Sequence, residues 1–246
     1  MIMTEQLKVE FKVYLRQPLY LVFTILMPAI FFLFFGMMYA GEQYNGIDFF
    51  SQYIPGFLVL ILFASSVFNI GNQVVTDKEK GVYKRLSVAP ISFNRIMFAV
   101  ISKGFIVALI GYIEILIIAK FVFDVTFSSI FVFSISYVAC IIYALIIGFG
   151  LGMGIKTLNN YTVIMMTSFF PMFMLSDAGL PLSLFPEFVQ NLAYLNPLYH
   201  MNIALRVAWN TELYTTYQSE FFISLAFLSV FMVIFLMWVI AKWRKK

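Results

Sequence analysis

Residues 19–40 read LYLVFTILMPAIFFLFFGMMYA and contain no Asp, Glu, Lys or Arg. Their apolar residues do not alternate with polar ones, as the strands of a membrane barrel would over about ten residues. An α-helix rises about 1.5 Å per residue, so about 20 apolar residues cross a hydrocarbon core of roughly 30 Å. Backbone in lipid must satisfy its hydrogen bonds internally, in helices or closed barrels. This stretch therefore predicts a membrane-spanning helix.

Charge-free intervals recur along the chain. They cover residues 49–76, 125–155, 157–176 and 221–241, and a further apolar run at 96–122 carries one carboxylate, Glu114. Together with the first stretch they predict six transmembrane helices. The predicted spans are about 19–40, 53–75, 96–122, 129–155, 161–176 and 220–241. We therefore expect an all-α membrane protein in which residues 1–246 form a single transmembrane domain.

The composition agrees with this fold class. Of the 246 residues, 62% are hydrophobic and 11% are charged, whereas soluble domains are about 25% charged. This excludes soluble enzymes and soluble binding modules. The single cysteine, Cys140, lies in an apolar run and cannot form an internal disulfide.

The basic residues predict the orientation. With the N-terminus in the cytoplasm, 14 of the 16 Lys and Arg residues fall in cytoplasmic segments, and Lys120 and Arg206 fall outside. This bias follows the positive-inside rule. Six spans return the C-terminus to the cytoplasm, where its KWRKK sequence can lie against anionic headgroups. We expect a multi-pass protein of the cytoplasmic (inner or cell) membrane that contacts the lipid bilayer and binds no nucleic acid.

Residues 4–17 precede the first span and predict an amphipathic interfacial helix on the cytoplasmic surface. Helical spacing places their apolar and basic side chains on different faces. The residues that define the two faces are Leu7, Phe11, Lys8, Lys12 and Arg16. The alternative is an ordinary charged flank of a membrane span.

The most charged part of the chain is the loop at residues 76–92, after the second span. It mixes acids and bases with a modest apolar side formed by Val82, Leu86 and Val88, and Pro90 ends it. Topology alone would require the basic residues but not this mixture. The loop therefore has the character of a docking surface for a cytoplasmic partner.

Residues 177–210, between the fifth and sixth spans, are too long for a turn and too apolar for a free loop. Pro186 favours the start of a short helix, and Asn196 followed by Pro197 is typical of a helix N-cap and first helical position. We expect two short re-entrant helices that dip into the outer leaflet.

Residues 148–156 read GFGLGMGIK, which looks like a phosphate loop but lacks the Gly that a Walker A motif places before its Lys. Its glycines form two overlapping small-xxx-small pairs, which allow close helix packing. The pairs are Gly148 with Gly152 and Gly150 with Gly154. We interpret them as a packing motif, so no nucleotide site is recognisable in the chain and we expect it to bind no cofactor.

Few polar residues interrupt the predicted spans. Ionised carboxylates within a membrane are costly and usually face a cavity or a partner. Glu114 is therefore either a polar point on a translocation path or a carboxylate that reaches the outer interface or stays protonated. The candidates for a translocation path are Glu114, Asn69, Pro197 and Arg206. The single histidine, His200, has no ligand-type neighbours at motif spacing, so we predict no metal site.

These features together resemble the membrane subunit of ABC-2 type exporters, in particular bacterial drug- and antibiotic-resistance permeases. The loop after the second span has that family's pattern of an acid, a base, Gly, a short helix and a Pro-Ile-Ser ending, and Lys103 follows near the start of the third span. The residues of this pattern are Glu79, Lys80, Gly81, Leu86, Pro90, Ile91 and Ser92. The outer segment is similar in its Asn196, Pro197 and Arg206, whereas Val82 stands where the family usually has Thr.

The resemblance implies a mechanism. Two such subunits pair, with the same chain or a close paralogue, and engage two copies of a separate cytoplasmic ATP-binding cassette subunit, which binds ATP and Mg²⁺. The loop then acts as a coupling helix seated on that subunit, and ATP-driven closure opens an outward path for an amphipathic drug, antibiotic, lipid or small peptide. The residues implied in coupling are Asp77, Lys78, Glu79, Lys80, Gly81, Lys84, Arg85 and Leu86.

Two other functional classes stay open. A secondary transporter or channel usually places ion-coupling acids or unwound helices at the membrane midplane, and Glu114 is the one such acid here. A membrane-embedded lipid-modifying enzyme needs clustered polar catalytic groups, and the sequence has no HExxH, GxSxG or paired intramembrane aspartates. The exporter is the preferred interpretation, and we expect no catalytic residue in this chain.

Overall fold

The computed structural model describes residues 8, 12, 16, 22–44, 47–86, 93–127, 129–178, 181–211 and 213–244, and most of these are helical. In chain order, the helices are α1 (Met27–Tyr39, directly preceded by a π-helical turn at Val22–Leu26), α2 (Phe49–Glu79), α3 (Val82–Leu86), α4 (Phe93–Phe121), α5 (Ile130–Gly154), α6 (Leu158–Met174), α7 (Glu187–Ala193), α8 (Pro197–Trp209), α9 (Leu213–Thr216) and α10 (Gln218–Arg244). A 3₁₀ turn at Leu182–Leu184 precedes α7.

Among the described helices, α2, α4, α5 and α10 are long and apolar enough to cross a membrane. They correspond to the predicted second, third, fourth and sixth spans. The predicted first and fifth spans correspond to α1 and α6, which have 13 and 17 residues. Because a crossing helix needs about 17–25 residues, α1 reaches this length only together with its π-helical turn. The count of six spans stays a prediction.

Helix α2 lies at the centre of the fold. In its most apolar stretch 83% of the residues are buried, against 17% in α10. It packs against α4, α5, α6 and α8. Its middle part, Ala64–Gly71, is π-helical, and the Tyr161 hydroxyl of α6 donates a hydrogen bond of 2.6 Å to the Val67 carbonyl there. A side chain from another helix therefore satisfies part of this irregular turn.

Replacing Tyr161 by Phe is expected to destabilise the protein, because the buried Val67 carbonyl would lose its side-chain donor. Loss of one buried hydrogen bond costs about 1–2 kcal/mol, which corresponds to roughly 2–8 °C in unfolding temperature for a chain of this size. Thermal unfolding in detergent, followed by Trp fluorescence, measures the change.

Tyr137→Phe is the matched control for this variant. Tyr137 is fully buried like Tyr161, but its hydroxyl has no hydrogen-bond partner among the described residues. Removing that hydroxyl is expected to leave the unfolding temperature unchanged or to raise it slightly. An equal loss in the two variants would contradict the role given to the Tyr161 hydroxyl.

A two-stranded hairpin, β1 (Gln43–Tyr44) with β2 (Ile47–Asp48), joins α1 to α2 and is absent from the all-helical prediction. The sequence places Asn-Gly between the strands, the dipeptide most favoured in two-residue hairpin turns. The Asp48 carboxylate then N-caps α2 by accepting from the Ser51 N–H at 3.2 Å. The hairpin thus fixes where the central helix begins.

Candidate functional site

The predicted coupling loop begins inside α2. Residues 76–79 continue that helix, Gly81 takes a left-handed backbone conformation with φ of 69°, and α3 follows. Glycine adopts this conformation without a Cβ penalty, which explains the break between the two helices. The exposed basic side chains here are Lys80, Lys84 and Arg85. The Leu86 side chain and the rest of the predicted loop lie outside the described residues.

The Lys78 side chain reaches the end of α5. Its Nζ donates hydrogen bonds to the backbone carbonyls of Gly152 at 2.9 Å and Met153 at 2.8 Å, and to that of Ile155. The last carbonyls of a helix lack intrahelical partners and carry the negative end of the helix dipole. An ammonium group satisfies both conditions, so Lys78 caps the C-terminus of α5.

The next residue, Glu79, contacts the start of α6. Its Oε2 accepts a hydrogen bond of 2.8 Å from the N–H of Leu158, the first residue of α6. The first N–H groups of a helix are unpaired and carry the positive end of the dipole, which favours a carboxylate there. Two adjacent residues of opposite charge therefore hold the two sides of the α5–α6 turn.

A buried lysine lies near this end of α2. Lys103 of α4 is 5% exposed and donates a hydrogen bond to the side chain of Gln73 in α2. A buried ammonium requires such polar partners. Asp77, which is half-buried, follows Gln73 by about one helical turn. The end of α2 is therefore a polar junction with α4, α5 and α6, and part of the predicted coupling loop takes part in it.

Two of the predicted packing glycines face α2. A Cβ on Gly148 would lie 2.2 Å from the Ser66 carbonyl oxygen, and a Cβ on Gly152 would lie 2.6 Å from the Gly71 carbonyl oxygen. Both neighbouring atoms belong to backbone of the central helix. Only a residue without a side chain permits this approach of α5 to α2.

The other two packing glycines face α10. A Cβ on Gly150 would lie 2.6 Å from the Phe235 ring, and a Cβ on Gly154 would lie 2.2 Å from the Trp238 ring. Residues two positions apart on a helix point in different directions. The overlapping pairs thus let α5 approach one helix on each of two faces.

At the other end of α6, Arg206 of α8 forms a buried ion pair with Asp177. Nη1 lies 2.6 Å from Asp177 Oδ2, and the two side chains are 2% and 15% exposed. Nη2 also donates to the Asp177 carbonyl at 2.9 Å. Asp177 has a φ of 55°, a left-handed conformation that Asp tolerates better than most residues. The pair fixes the direction of the chain as it leaves α6.

Two asparagines reinforce this contact. The Asn202 amide donates to the Asp177 carbonyl at 2.9 Å, and the Asn196 amide donates to the Met172 carbonyl at 2.7 Å. The Asn196 Oδ1 also N-caps α8 by accepting from the Leu198 N–H at 3.1 Å. We call the set Asp177, Asn196, Asn202 and Arg206 the outer junction. It ties α8 to the end of α6.

The four candidates for a translocation path lie in different elements. Arg206 belongs to the outer junction, and Pro197 is the first residue of α8. Asn69 is 5% exposed in the π-helical part of α2, and Glu114 is half-buried in α4. One polar atom of Asn69 and one of Glu114 are buried without a hydrogen-bond partner among the described residues. Among the described residues, no hydrogen bond joins two of the four candidates. A translocation path shared by all four therefore stays a prediction.

His200 is buried and joins α8 to α10. Its Nδ1 lies 2.9 Å from the Ser224 hydroxyl, and its Nε2 lies 2.9 Å from the Tyr194 carbonyl, to which it donates. Burial lowers the pKa of His200, and the bond to the Tyr194 carbonyl partly opposes this. A neutral imidazole fits both contacts, because Nδ1 then accepts from the hydroxyl. Within the described ranges, no three His, Cys, Asp or Glu side chains are placed to hold a metal ion.

The predicted interfacial helix falls mostly outside the described residues. Lys8, Lys12 and Arg16 are described and are exposed. Leu7 and Phe11, which define its apolar face, lie outside the description. The helix therefore stays a prediction.

Sequence comparisons identify the class of protein to which this architecture belongs. The profile of the ABC-2 type transporter family matches residues 6–210, so the chain belongs to that family. A curated relative, "Putative transport permease ycf38" of Cyanophora paradoxa, is 24% identical over 196 residues, which cover 74% of this chain and 65% of the relative. The chain thus spans just under two thirds of that relative's length. No solved structure matches the chain.

Proposed function

We propose that this chain is the transmembrane permease subunit of an ATP-driven exporter, with ATP and Mg²⁺ bound by a separate ATP-binding cassette subunit in two copies. Family membership supports transport. The observation that carries the proposal is α3, a short helix with exposed basic side chains that directly follows α2, the most buried of the four helices long enough to cross a membrane. A partner that moves α3 would act directly on the centre of the fold.

The proposed assembly contains a second permease subunit, either the same chain or a close paralogue. Helix α1 exposes large apolar side chains, which suit contact with another membrane helix or with lipid. These side chains are Phe31, Phe34, Met37 and Met38. In the proposed orientation both termini are cytoplasmic, and α7 and α8 lie on the outer side.

The proposed substrate is an amphipathic drug, antibiotic, lipid or small peptide. The apolar composition of the chain supports such a substrate over a bare ion. Labelled compounds of these classes should accumulate less in cells that carry the permease and its ATPase than in cells that lack both. Equal accumulation for every class would contradict export of amphipathic compounds.

We propose that the exposed cations face acidic groups of the ATP-binding subunit. Combining Lys80→Glu with Arg85→Glu is then expected to reduce co-purification of that subunit by about tenfold or more, because like charges across an interface repel. Pull-down of the tagged permease and an ATPase assay measure the change. Lys120→Glu is the control, since it reverses an exposed cation (45% exposed) at the opposite end of α4. Unchanged complex formation and ATP hydrolysis in the double variant would contradict docking at α3.

A further inference from the structure

The α5–α6 turn is held by two consecutive residues of α2 whose charges match the helix ends they touch. The Lys78 ammonium binds the C-terminal carbonyls of α5, and the Glu79 carboxylate binds the N-terminal N–H of α6. Lys78 and Glu79 each act on a helix dipole. Exchanging them would place each charge at the unfavourable helix end. We call these two residues and the turn at 152–158 the turn clamp.

The same three helices are joined elsewhere along their lengths. Tyr161 of α6 donates to the Val67 carbonyl of α2, and Gly148 of α5 brings its helix to within van der Waals contact of Ser66. On α2 these contacts lie about three turns before Lys78 and Glu79, whereas on α5 and α6 they lie about one turn from the clamp. Helices α2, α5 and α6 are therefore connected at two levels.

We propose that Lys78 and Glu79 are positioning residues that make α2, α5 and α6 move as one body when α3 is displaced. This inference rests on the proposed function, which supplies the displacement. A packed core transmits a shift between discrete arrangements and does not deform continuously. Through the clamp, a displacement of α3 that moves the end of α2 would also move α5 and α6.

The first experiment tests the clamp in the permease chain alone. Hydrogen–deuterium exchange of the peptide that contains Leu158 is expected to be about tenfold faster in Glu79→Gln, because a neutral amide oxygen accepts the hydrogen bond more weakly than the carboxylate does. Glu79→Asp is expected to restore part of the protection. Lys156→Gln is the matched control, since it removes an exposed charge from the same turn. Unchanged exchange in Glu79→Gln would overturn the clamp, whether or not the proposed function is correct.

The second experiment tests movement in the complex with the ATP-binding subunit. Spin labels at Met166→Cys on α6 and Val233→Cys on α10, both exposed positions, are placed in a Cys140→Ser background. When Lys78 and Glu79 are unchanged, a non-hydrolysable ATP analogue with Mg²⁺ is expected to change the distance between the two spin labels. In the complexes that co-purify with the subunit, the combined Lys78→Gln and Glu79→Gln variant is expected to lose this shift.

The exchanged variant, Lys78→Glu with Glu79→Lys, distinguishes the clamp from a simple ion pair between the two residues. A mutual ion pair would survive the exchange, whereas the clamp would not, so loss of the shift is expected. A retained shift in either clamp variant would overturn the inference, and so would loss of subunit binding in the neutral variant, which would place these residues in docking itself. Failure of the native permease to bind the subunit would instead overturn the proposed function.

Discussion

Arg206→Met is expected to lower the free energy of unfolding by about 3–5 kcal/mol, because it leaves the Asp177 carboxylate, which is 15% exposed, without its cation. The guanidinium is 2% exposed and makes two contacts of 2.6 and 2.9 Å to Asp177. Since whole domains are stable by only about 5–15 kcal/mol, we expect a large loss of folded protein. Size-exclusion chromatography in detergent and thermal unfolding measure it.

Two further variants make this prediction specific. Lys120→Met removes a cation from the exposed pair with Asp124, whose side chains are 45% and 93% exposed, and is expected to cost about 0–1 kcal/mol. Combining Arg206→Met with Asp177→Asn removes both charges of the pair and is expected to recover part of the stability that Arg206→Met loses. Two results would show that the outer junction does not depend on this pair. One is that the losses in free energy of unfolding from the two substitutions are additive, and the other is that the Arg206→Met protein is as stable as the native protein.

The long helices could be predicted because their signal is local. A long run of apolar residues predicts α4 and α5 to within about three residues at each end, since the length of the run is read from neighbouring residues alone. Helix α6 begins at Leu158, three residues before the predicted span, because the Thr157 side chain caps it by accepting from the Asn160 N–H. A single capping side chain can therefore set where a helix begins, and a count of apolar residues does not detect it.

The partners of the polar residues could not be predicted in the same way. Arg206 stands out in sequence as a basic residue on the outer side, but nothing local assigns it to Asp177, 29 residues earlier. The contacts of Lys78 and Glu79 join residues 74 to 79 positions apart. Their mixture of acid and base predicted a docking surface, which stays a prediction, and it gave no sign that these two side chains contact the ends of neighbouring helices. The residues at the end of a helix do not indicate which charged side chain of another helix will contact that end.

Gly148→Ala is expected to be the most damaging single-methyl change in α5. The added Cβ would lie 2.2 Å from the Ser66 carbonyl oxygen and 2.5 Å from its carbon, both backbone atoms of α2. Alanine is favoured over glycine within a helix by about 1 kcal/mol, so the steric cost must exceed that gain. Separating two closely packed helices is expected to leave a net loss of about 2–3 kcal/mol, or roughly 4–12 °C in unfolding temperature.

Gly154→Ala is the control that shows whether every glycine of the packing motif is equally sensitive to replacement by alanine. Its Cβ would also lie 2.2 Å from a neighbour, but that neighbour is the Trp238 ring. Trp238 is 37% exposed, so its ring can rotate outward at little cost, and the helix propensity of alanine offsets much of the remainder. We therefore expect Gly154→Ala to unfold within about 2 °C of the native protein. Equal losses at the two positions would mean that α10 constrains α5 as rigidly as α2 does, and that the central helix has no special place in the packing of this permease.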